Sequence, residues 1–200
     1  MTARRADGFD IAVKQSFGNC PKYIQARDWT MLDTARHVPG PVERAGALGR
    51  GEQALVAGAD TFFIASAFGS VRDGASHGVD ASHRGGPAGF VRVDDERTLV
   101  LPDFRGNSYY NTLGNLLLEP RCGLLFLDFA TGTTVQLAAE AEILWGGAEV
   151  ARFAGAERVL RFRIREAVTA ENALPLRWQF RENSPFLAGL GDWGETKTKL

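Results

Sequence analysis

Short apolar and alternating segments of the kind that form β-strands dominate the middle of the chain. Thr61–Phe68 and Gly123–Phe129 are apolar runs rich in aromatic and large aliphatic residues, which predicts two buried strands. From Arg158 to Val168, apolar residues alternate with arginines, as expected for a strand with one solvated face. Thr134–Leu144 has the length and composition of a further long strand.

Two shorter strands and three helices complete the predicted set. Phe90–Val93 and Thr98–Leu101 flank a polar connection, which predicts a hairpin. In Ser108–Leu118 the apolar side chains repeat at helical spacing, and a proline follows its end. The other predicted elements are helices at Glu52–Ala59 and Ala148–Phe153, a strand at Phe9–Val13 and a polar loop at Gly69–Asp80.

The predicted elements define a fold class. Strands outnumber helices, the connections resemble hairpins, and no run of strand–helix alternation supports a parallel sheet. The 23 glycines indicate many tight turns. The sequence therefore predicts a mainly β protein, built as a six-stranded antiparallel barrel with two or three flanking helices.

Charge and hydropathy exclude several classes of protein. The 200 residues include 23 Lys and Arg against 24 Asp and Glu, for a net charge of −1, and a nucleic-acid-binding protein would need a basic excess. The hydrophobic fraction of 44% excludes disorder of the whole chain. The longest apolar runs are far shorter than the roughly 20 residues that cross a membrane. We expect neither a nucleic-acid nor a membrane partner.

The two cysteines, Cys20 and Cys122, lie far apart in the sequence and form no disulfide framework. No apolar segment follows Arg4 and Arg5, so no signal peptide is predicted. Both observations fit a cytoplasmic protein.

The predicted start of the Ser108 helix is a candidate anion site. Arg105, Gly106 and Asn107 precede its first turn. Helix N-termini present unpaired N–H groups and partial positive charge, and an arginine offers a forked pair of donors to phosphate. The alternative is that Asn107 is a plain N-cap and Arg105 a solvated surface residue.

A second candidate is the run Ser82-His-Arg-Gly-Gly. Its glycines let the backbone approach a ligand closely, and its three side chains can donate hydrogen bonds. The alternative is a mobile polar loop. The histidines have no metal-ligand spacing, neither cysteine lies in a C-x-x-C pair, and we expect no metal site. No nucleophile elbow and no phosphate-binding P-loop motif occurs.

The stretch Thr61–Leu144 resembles the flavin-binding split barrel of proteins related to pyridoxamine 5′-phosphate oxidase. The motifs that carry this are, in order, Phe62-Phe-Ile-Ala-Ser, Asp80-Ala-Ser-His-Arg-Gly-Gly-Pro-Ala-Gly-Phe-Val-Arg-Val, Thr98-Leu-Val-Leu-Pro-Asp-Phe-Arg-Gly-Asn, Asn111-Thr-Leu-Gly-Asn-Leu-Leu and Glu119-Pro-Arg-Cys-Gly-Leu-Leu-Phe-Leu-Asp-Phe. A looser resemblance runs from Glu52 to Phe186. It is strongest to a branch of flavin-nucleotide-binding proteins rather than to the vitamin-B6 oxidase itself.

The resemblance implies a homodimer that binds FMN at its interface. Basic and hydroxyl residues at the helix start would hold the phosphate, and those positions are Arg105, Asn107, Asn111 and Thr112 here. The preceding strands would hold the ring and ribityl chain, at positions that correspond to Ser82, His83, Arg84, Gly85, Phe90, Val91, Asp103 and Phe104.

The chain also departs from the vitamin-B6 oxidase. Tyr110-Asn-Thr stands where that enzyme has Ser-Arg-Lys, and the C-terminal Arg-x-His pair is missing. We therefore expect an FMN-dependent oxidoreductase acting on another, unidentified small molecule, with no assigned catalytic residue. The alternatives are a non-catalytic flavin-binding or sensing module and, third, a haem protein with His77 or His83 as ligand.

The first 50 residues differ from the rest of the chain. Residues 9–27 resemble the segment that joins two successive barrels in longer relatives, and they include the run Gln15-Ser-Phe-Gly-Asn-Cys-Pro-Lys-Tyr-Ile-Gln-Ala-Arg. We therefore expect an N-terminal extension with a linker over residues 1–50, the split barrel over 51–186 and a tail over 187–200. Whether the chain is half of a duplicated protein or a single-barrel form is open.

Overall fold

A computed structural model describes residues 3–13, 16–69, 74 and 77–194. Strands predominate over helices in these residues. The strands are β1 Ala3–Arg5, β2 Gly8–Asp10, β3 Ala26–Met31, β4 Val42–Ala45, β5 Thr61–Phe68, β6 Gly78–Gly85, β7 Arg92–Asp95, β8 Thr98–Phe104, β9 Arg121–Leu127, β10 Thr134–Leu144, β11 Ala156–Ala170 and β12 Leu176–Glu182. The helices are α1 Arg50–Gly58, α2 Asn111–Leu118, α3 Ala148–Ala151 and a 3₁₀ turn at Pro185–Leu187.

Eight of the described strands form one antiparallel sheet, in the order β6-β5-β9-β10-β11-β8-β7, with β4 added beside β11. The pairs β5–β6, β7–β8, β9–β10 and β10–β11 are formed by strands that follow one another in the chain. Local hairpins therefore account for most of the sheet, and the long-range pairings β5–β9, β8–β11 and β4–β11 complete it.

The sheet curls around an apolar core, so that β6 and β8 approach each other without a backbone ladder between them among the described strands. Across this opening, Nη1 of Arg84 on β6 lies 2.5 Å from Oδ1 of Asp103 on β8. Inside, Phe62 stacks on Phe126 with ring centroids 5.0 Å apart, and both side chains are fully buried. The fold is an antiparallel split barrel, and β6 and β8 border the split.

The fold class predicted from the sequence is confirmed, but the count of six strands was wrong. Of the eight strands of the main sheet, the predicted set lacked β4 and β6. Residues 78–80 were assigned to a polar loop, and residues 70–73 and 75–76 of that loop lie outside the described part. In β6 the buried Asp80 and the half-buried Ser82 and Arg84 alternate with Val79, Ala81 and His83. One face of the strand is polar because it borders the split, and this composition is typical of a loop.

Helix α2 begins at Asn111, three positions later than the predicted Ser108. Ser108 and Tyr110 have φ angles of 63° and 56°, in the left-handed region that interrupts a helix. The side chain of Asn107 accepts a hydrogen bond from the Tyr109 N–H at 3.1 Å. Asn107 therefore stabilises a turn in the loop, and the alternative interpretation that it is a plain N-cap was wrong.

Two segments outside the predicted barrel pair with each other, and one joins the barrel sheet. β3 pairs with β12 to form a separate ribbon, and β4 pairs with β11. The stretch 28–50, predicted as a connection, therefore contains strand residues. The domain boundaries at residues 50 and 186 stay predictions. Among the helices in the described residues, none combines the length and apolar character needed to span a membrane.

Candidate functional site

A cleft opens at the split between β6 and β8, with a cavity volume of about 120 Å³. Its walls are β6, the end of β8, the loop 105–110, the first turn of α2 and the segment 19–23. The two stretches singled out from the sequence, around Ser82 and around Asn107, lie on different walls of this cleft.

Most of the predicted cofactor-binding residues line the cleft. Those that do are Ser82, His83, Arg84, Gly85, Phe90, Asp103, Phe104, Asn107, Asn111 and Thr112. Val91 and Arg105 do not. Val91 is 1% exposed and belongs to the barrel core, and the Arg105 side chain is exposed while its backbone lies at the cleft mouth. The binding roles of all these residues stay predictions.

A chain of polar side chains links β6 to the first turn of α2. Thr112 donates its hydroxyl proton to Oδ2 of the buried Asp80 at 2.5 Å, and Ser82 Oγ lies 2.9 Å from Thr112 Oγ1. A hydroxyl carries one proton. The Thr112 hydroxyl uses its one proton in the hydrogen bond to Asp80, so in the second hydrogen bond Ser82 is the donor and Thr112 the acceptor. The lone pairs of Ser82 Oγ therefore remain for a ligand in the cleft.

Asp103 holds two arginines at the floor of the cleft. Its Oδ1 accepts a hydrogen bond from Nη1 of Arg84 at 2.5 Å, and its Oδ2 lies 3.5 Å from Nε of Arg158. Arg158 also pairs with Glu157. Asp103 is 5% exposed, and burial raises its pKa while Arg84 and Arg158 oppose that rise. The positive charge of Arg84 is therefore already matched inside the protein.

His83 lies on the wall of β6 with an unused nitrogen. Burial lowers the pKa of His83, the Arg84 guanidinium lowers it further, and Asp60 opposes the shift. Its Nε2 is buried and has no hydrogen-bond partner among the described residues. His83 is thus a neutral imidazole with one buried nitrogen that lacks a hydrogen-bond partner among the described residues. His77, the other proposed haem ligand, does not line it.

The segment 19–25, here called the strap, forms the remaining wall and was missed as a site from the sequence. Its Asn19 side chain donates to the Ala81 carbonyl at 3.2 Å, and the Tyr23 hydroxyl donates to the Arg105 carbonyl at 3.1 Å. Gln25 is buried and donates to the Gly86 carbonyl at 3.1 Å. The strap therefore spans the split from β6 to the loop after β8.

Gly85 allows the strap to lie this close. A Cβ at Gly85 would stand 2.0 Å from the Tyr23 carbonyl oxygen, so only glycine fits there. These contacts join residues more than sixty positions apart, and local sequence patterns contain no signal for them. The turn-forming residues Gly18, Asn19 and Pro21 indicate only that the chain turns there.

Two aromatic side chains stand at the mouth of the cleft on a strained loop. Tyr109 is 66% exposed and Tyr110 is 49% exposed, and Tyr110 also lies over the Arg158 guanidinium at 5.1 Å. Non-glycine residues at positive φ cost on the order of 1–3 kcal/mol each and concentrate at ligand-binding sites. The strain at Ser108 and Tyr110 therefore marks this loop as part of the site.

The fold and the cleft define a class of protein, a split barrel with a ligand cleft at the split, and sequence comparison identifies the family. The family model described as pyridoxamine 5′-phosphate oxidase matches residues 52–176. The chain belongs to the pyridoxamine 5′-phosphate oxidase family. A search of curated proteins found no match.

Several solved structures resemble this one at low identity. HupZ from Group A Streptococcus is 14% identical, with a TM-score of 0.44 over 58% of this chain and 89% of its own. An FMN-binding protein from Syntrophomonas wolfei is 12% identical, with a TM-score of 0.41 over 58% and 82%. An FAD-binding protein from Mesorhizobium loti is also 12% identical, with a TM-score of 0.38 over 64% and 97%.

Proposed function

We propose that the cleft binds FMN and that the protein is an FMN-dependent oxidoreductase acting on a small molecule. The observation that carries the proposal is the convergence of two separate stretches, 82–85 and 103–112, on different walls of one cleft. Both stretches lie within the residues matched by the family model. The cleft combines apolar side chains with many convergent polar groups, and convergent polar groups fix the orientation of a ligand in a cofactor site.

The cleft residues fit the parts of a flavin. Phe90, Phe104, Pro102 and Leu113 supply an apolar surface for a planar ring. Asn107, Asn111 and Ser82 supply hydrogen-bonding groups for a polyol chain.

FMN, when bound, supplies the hydride chemistry, and the protein supplies orientation and electrostatics. The apolar wall keeps water from the ring, and the Arg84–Asp103 pair holds the two borders of the split together. We assign no acid or base to a side chain. The departures at Tyr110-Asn-Thr and in the C-terminal segment argue against pyridoxamine phosphate as substrate.

A homodimer is part of the proposal. The cavity volume of about 120 Å³ is well below the roughly 300–1,000 Å³ of a pocket that encloses a drug-sized ligand, so one subunit supplies part of a site. The outer face of β6, β5 and β9 carries small and large apolar residues: Val79, Ala81, Phe63, Ala65, Ala67, Gly123, Leu125 and Leu127. We call this surface the apolar face.

The neighbouring outer surface differs in character. On β10 and β11, Glu140 pairs with Arg165 at 2.6 Å and Glu142 pairs with Arg161 at 2.8 Å, as expected for a solvated surface. An apolar patch beside a charged one on the same sheet is typical of a subunit interface. A twofold contact would bring two copies of the apolar face together next to the cleft. The cytoplasmic location expected from the two free cysteines remains part of this proposal.

The test is the absorption spectrum of the purified protein, alone and after incubation with FMN, FAD or riboflavin. Retained yellow colour that bleaches with a reduced nicotinamide cofactor supports the oxidoreductase. Flavin that stays oxidised with every donor favours a binding or sensing module instead, and a Soret band favours haem. A protein that retains none of these cofactors contradicts the proposal.

A further inference from the structure

The cations that line the cleft differ in how far their charge is already neutralised. Among the cleft-lining residues that the structure describes, the fully charged ones are Lys22 and Arg84. Arg84 is bound to Asp103 at 2.5 Å. Lys22 donates from Nζ to the Arg105 carbonyl at 3.4 Å, lies 5.4 Å from the centroid of the Phe186 ring and has no carboxylate partner within the described part of the chain. Lys22 is therefore the cleft cation whose charge is available to a ligand.

The hydroxyl pair of Ser82 and Thr112, beside the first turn of α2, is a poor place for a phosphate in this protein. The buried Asp80 carboxylate accepts the Thr112 hydroxyl at 2.5 Å, and Ser82 in turn donates to Thr112. Both hydroxyl protons are directed into the protein, toward a negative charge. A ligand group beside Ser82 must therefore donate a hydrogen bond, as a sugar or polyol hydroxyl does and a phosphate dianion does not.

The Arg105 side chain is not positioned to replace this charge. It is exposed and does not line the cleft, and the loop presents its backbone carbonyl there instead. That carbonyl accepts hydrogen bonds from both Lys22 and Tyr23 of the strap. The strap thus brings the Lys22 ammonium to the loop at which the sequence predicted the phosphate.

We infer that Lys22, on the strap, binds the phosphate of the flavin, while the hydroxyl pair of Ser82 and Thr112 faces its polyol chain. The inference rests on the proposed function, and it names the residue and the orientation of the ligand. The strap lies outside residues 52–176, which the family model matches. The phosphate site is therefore an addition to the family barrel.

The experiment compares FMN with riboflavin, which lacks the phosphate, by quenching of flavin fluorescence in four proteins. These are the wild type, Lys22→Ala, Lys22→Arg and Arg105→Ala. We expect Lys22→Ala to lower the affinity for FMN by about tenfold to a hundredfold, the range for one charge-assisted hydrogen bond. The affinity for riboflavin should stay unchanged. Lys22→Arg should retain the preference for FMN, and Arg105→Ala should behave as the wild type.

Two results would overturn the inference while the proposed function stands. If Arg105→Ala selectively lowered the affinity for FMN and Lys22→Ala did not, the phosphate would be assigned to Arg105 in the loop. An equal loss of FMN and riboflavin in Lys22→Ala would show that the strap acts through structure alone. Circular dichroism of each variant checks that the barrel is folded.

A measurement without flavin separates the inference from the proposed function. The chain has four lysines, Lys14, Lys22, Lys197 and Lys199, so reductive methylation with ¹³C gives few NMR signals. The signal missing in Lys22→Arg identifies Lys22. Inorganic phosphate should shift that signal more than chloride at equal ionic strength. If the wild type binds no flavin, the proposed function fails, and the absence of this shift would overturn the anion site as well.

Discussion

Arg84 on β6 and Asp103 on β8 form an ion pair of 2.5 Å across the split of the barrel, where no backbone ladder joins the two described strands. Arg158, 8% exposed, lies 3.5 Å from the other oxygen of Asp103. One buried carboxylate thus connects β6, β8 and β11. The walls of the cleft are held at their separation by this contact and by the strap.

Replacing Asp103 by asparagine should strongly destabilise the protein, although the two side chains have nearly the same volume. In Asp103→Asn, the half-buried Arg84 and the buried Arg158 lose the carboxylate that neutralises their charge. Removing one partner of a buried ion pair costs about 3 kcal/mol of stability. Urea denaturation measures this loss. Arg165→Gln, in the exposed pair with Glu140, is the control and should leave the midpoint unchanged. Equal midpoints for Asp103→Asn and the wild type would contradict the role of Asp103.

The lowered pKa of His83 predicts a pH dependence of stability. In the unfolded chain His83 binds a proton below about pH 6.5, whereas burial disfavours the proton in the native state. The unfolded state therefore binds more protons, so the His83 contribution is complete above that pH and is lost as the pH falls toward the lowered pKa. His83→Asn should lose less stability than the wild type between about pH 7.5 and about pH 5.

This comparison uses urea midpoints at the two pH values. Equal losses in the wild type and in His83→Asn would mean that His83 is solvated in the folded protein. The other histidines are present in both proteins, so their effect cancels in the difference.

The two thiols should differ in reactivity. Burial raises the pKa of Cys122 to about 12, so its thiolate is scarce at pH 8, while Cys20 lines the cleft. Iodoacetamide should label Cys20 of the native protein first, and both cysteines after unfolding. Bound FMN should slow the labelling of Cys20 only. Peptide mass spectrometry gives the site, and faster labelling of Cys122 would contradict its burial.

The strap should detach when Gly85 is replaced. In Gly85→Ala the new methyl group would meet the Tyr23 carbonyl oxygen at 2.0 Å, so the strap must move while the barrel core is untouched. Trypsin should then cleave after Lys22 faster, and flavin affinity should fall. Gly146→Ala in the loop after β10, where a Cβ meets nothing within 4 Å, is the matched control. Unchanged cleavage in Gly85→Ala would show that the strap contact is not tight.

The apolar face should mediate dimerisation. Ala65 lies at its centre, opposite Ala81 and Gly123 on the adjacent strands. Ala65→Arg would place like charges from both subunits in one twofold interface, which should raise the dimer dissociation constant by at least about tenfold. Ala45→Arg, at an exposed position on β4, is the control. Light scattering after gel filtration measures the mass, and a dimer that persists in Ala65→Arg would exclude this face.

The strands with an apolar or alternating pattern could be predicted from the sequence. β5, β9, β10 and β11 were placed correctly because each buries one face in the same core, and burial of a face leaves a periodic pattern. β6 could not be predicted in this way. Its Asp80, Ser82 and Arg84 face polar partners from α2 and β8 rather than the core.

The start of α2 shows a related limit. The apolar spacing of its side chains was visible, but the left-handed backbone of Ser108 and Tyr110 was not. Such conformations are held by the surrounding structure rather than by local preference. A shift of three residues moved Asn107 from a predicted cap into a loop and separated Arg105 from the first turn of the helix.

The sequence by itself determined the family, the class of fold and the two stretches that line the cleft, because motifs, periodicity and glycine positions are local properties of the chain. Only the tertiary structure decided that Arg105 stays outside the cleft, that Asp80 directs the hydroxyl protons of Thr112 and Ser82, and that the strap brings Lys22 to the site. Each of these depends on a contact between residues thirty or more positions apart. Such contacts arise when distant segments pack together, and no repeat or spacing along the chain predicts them.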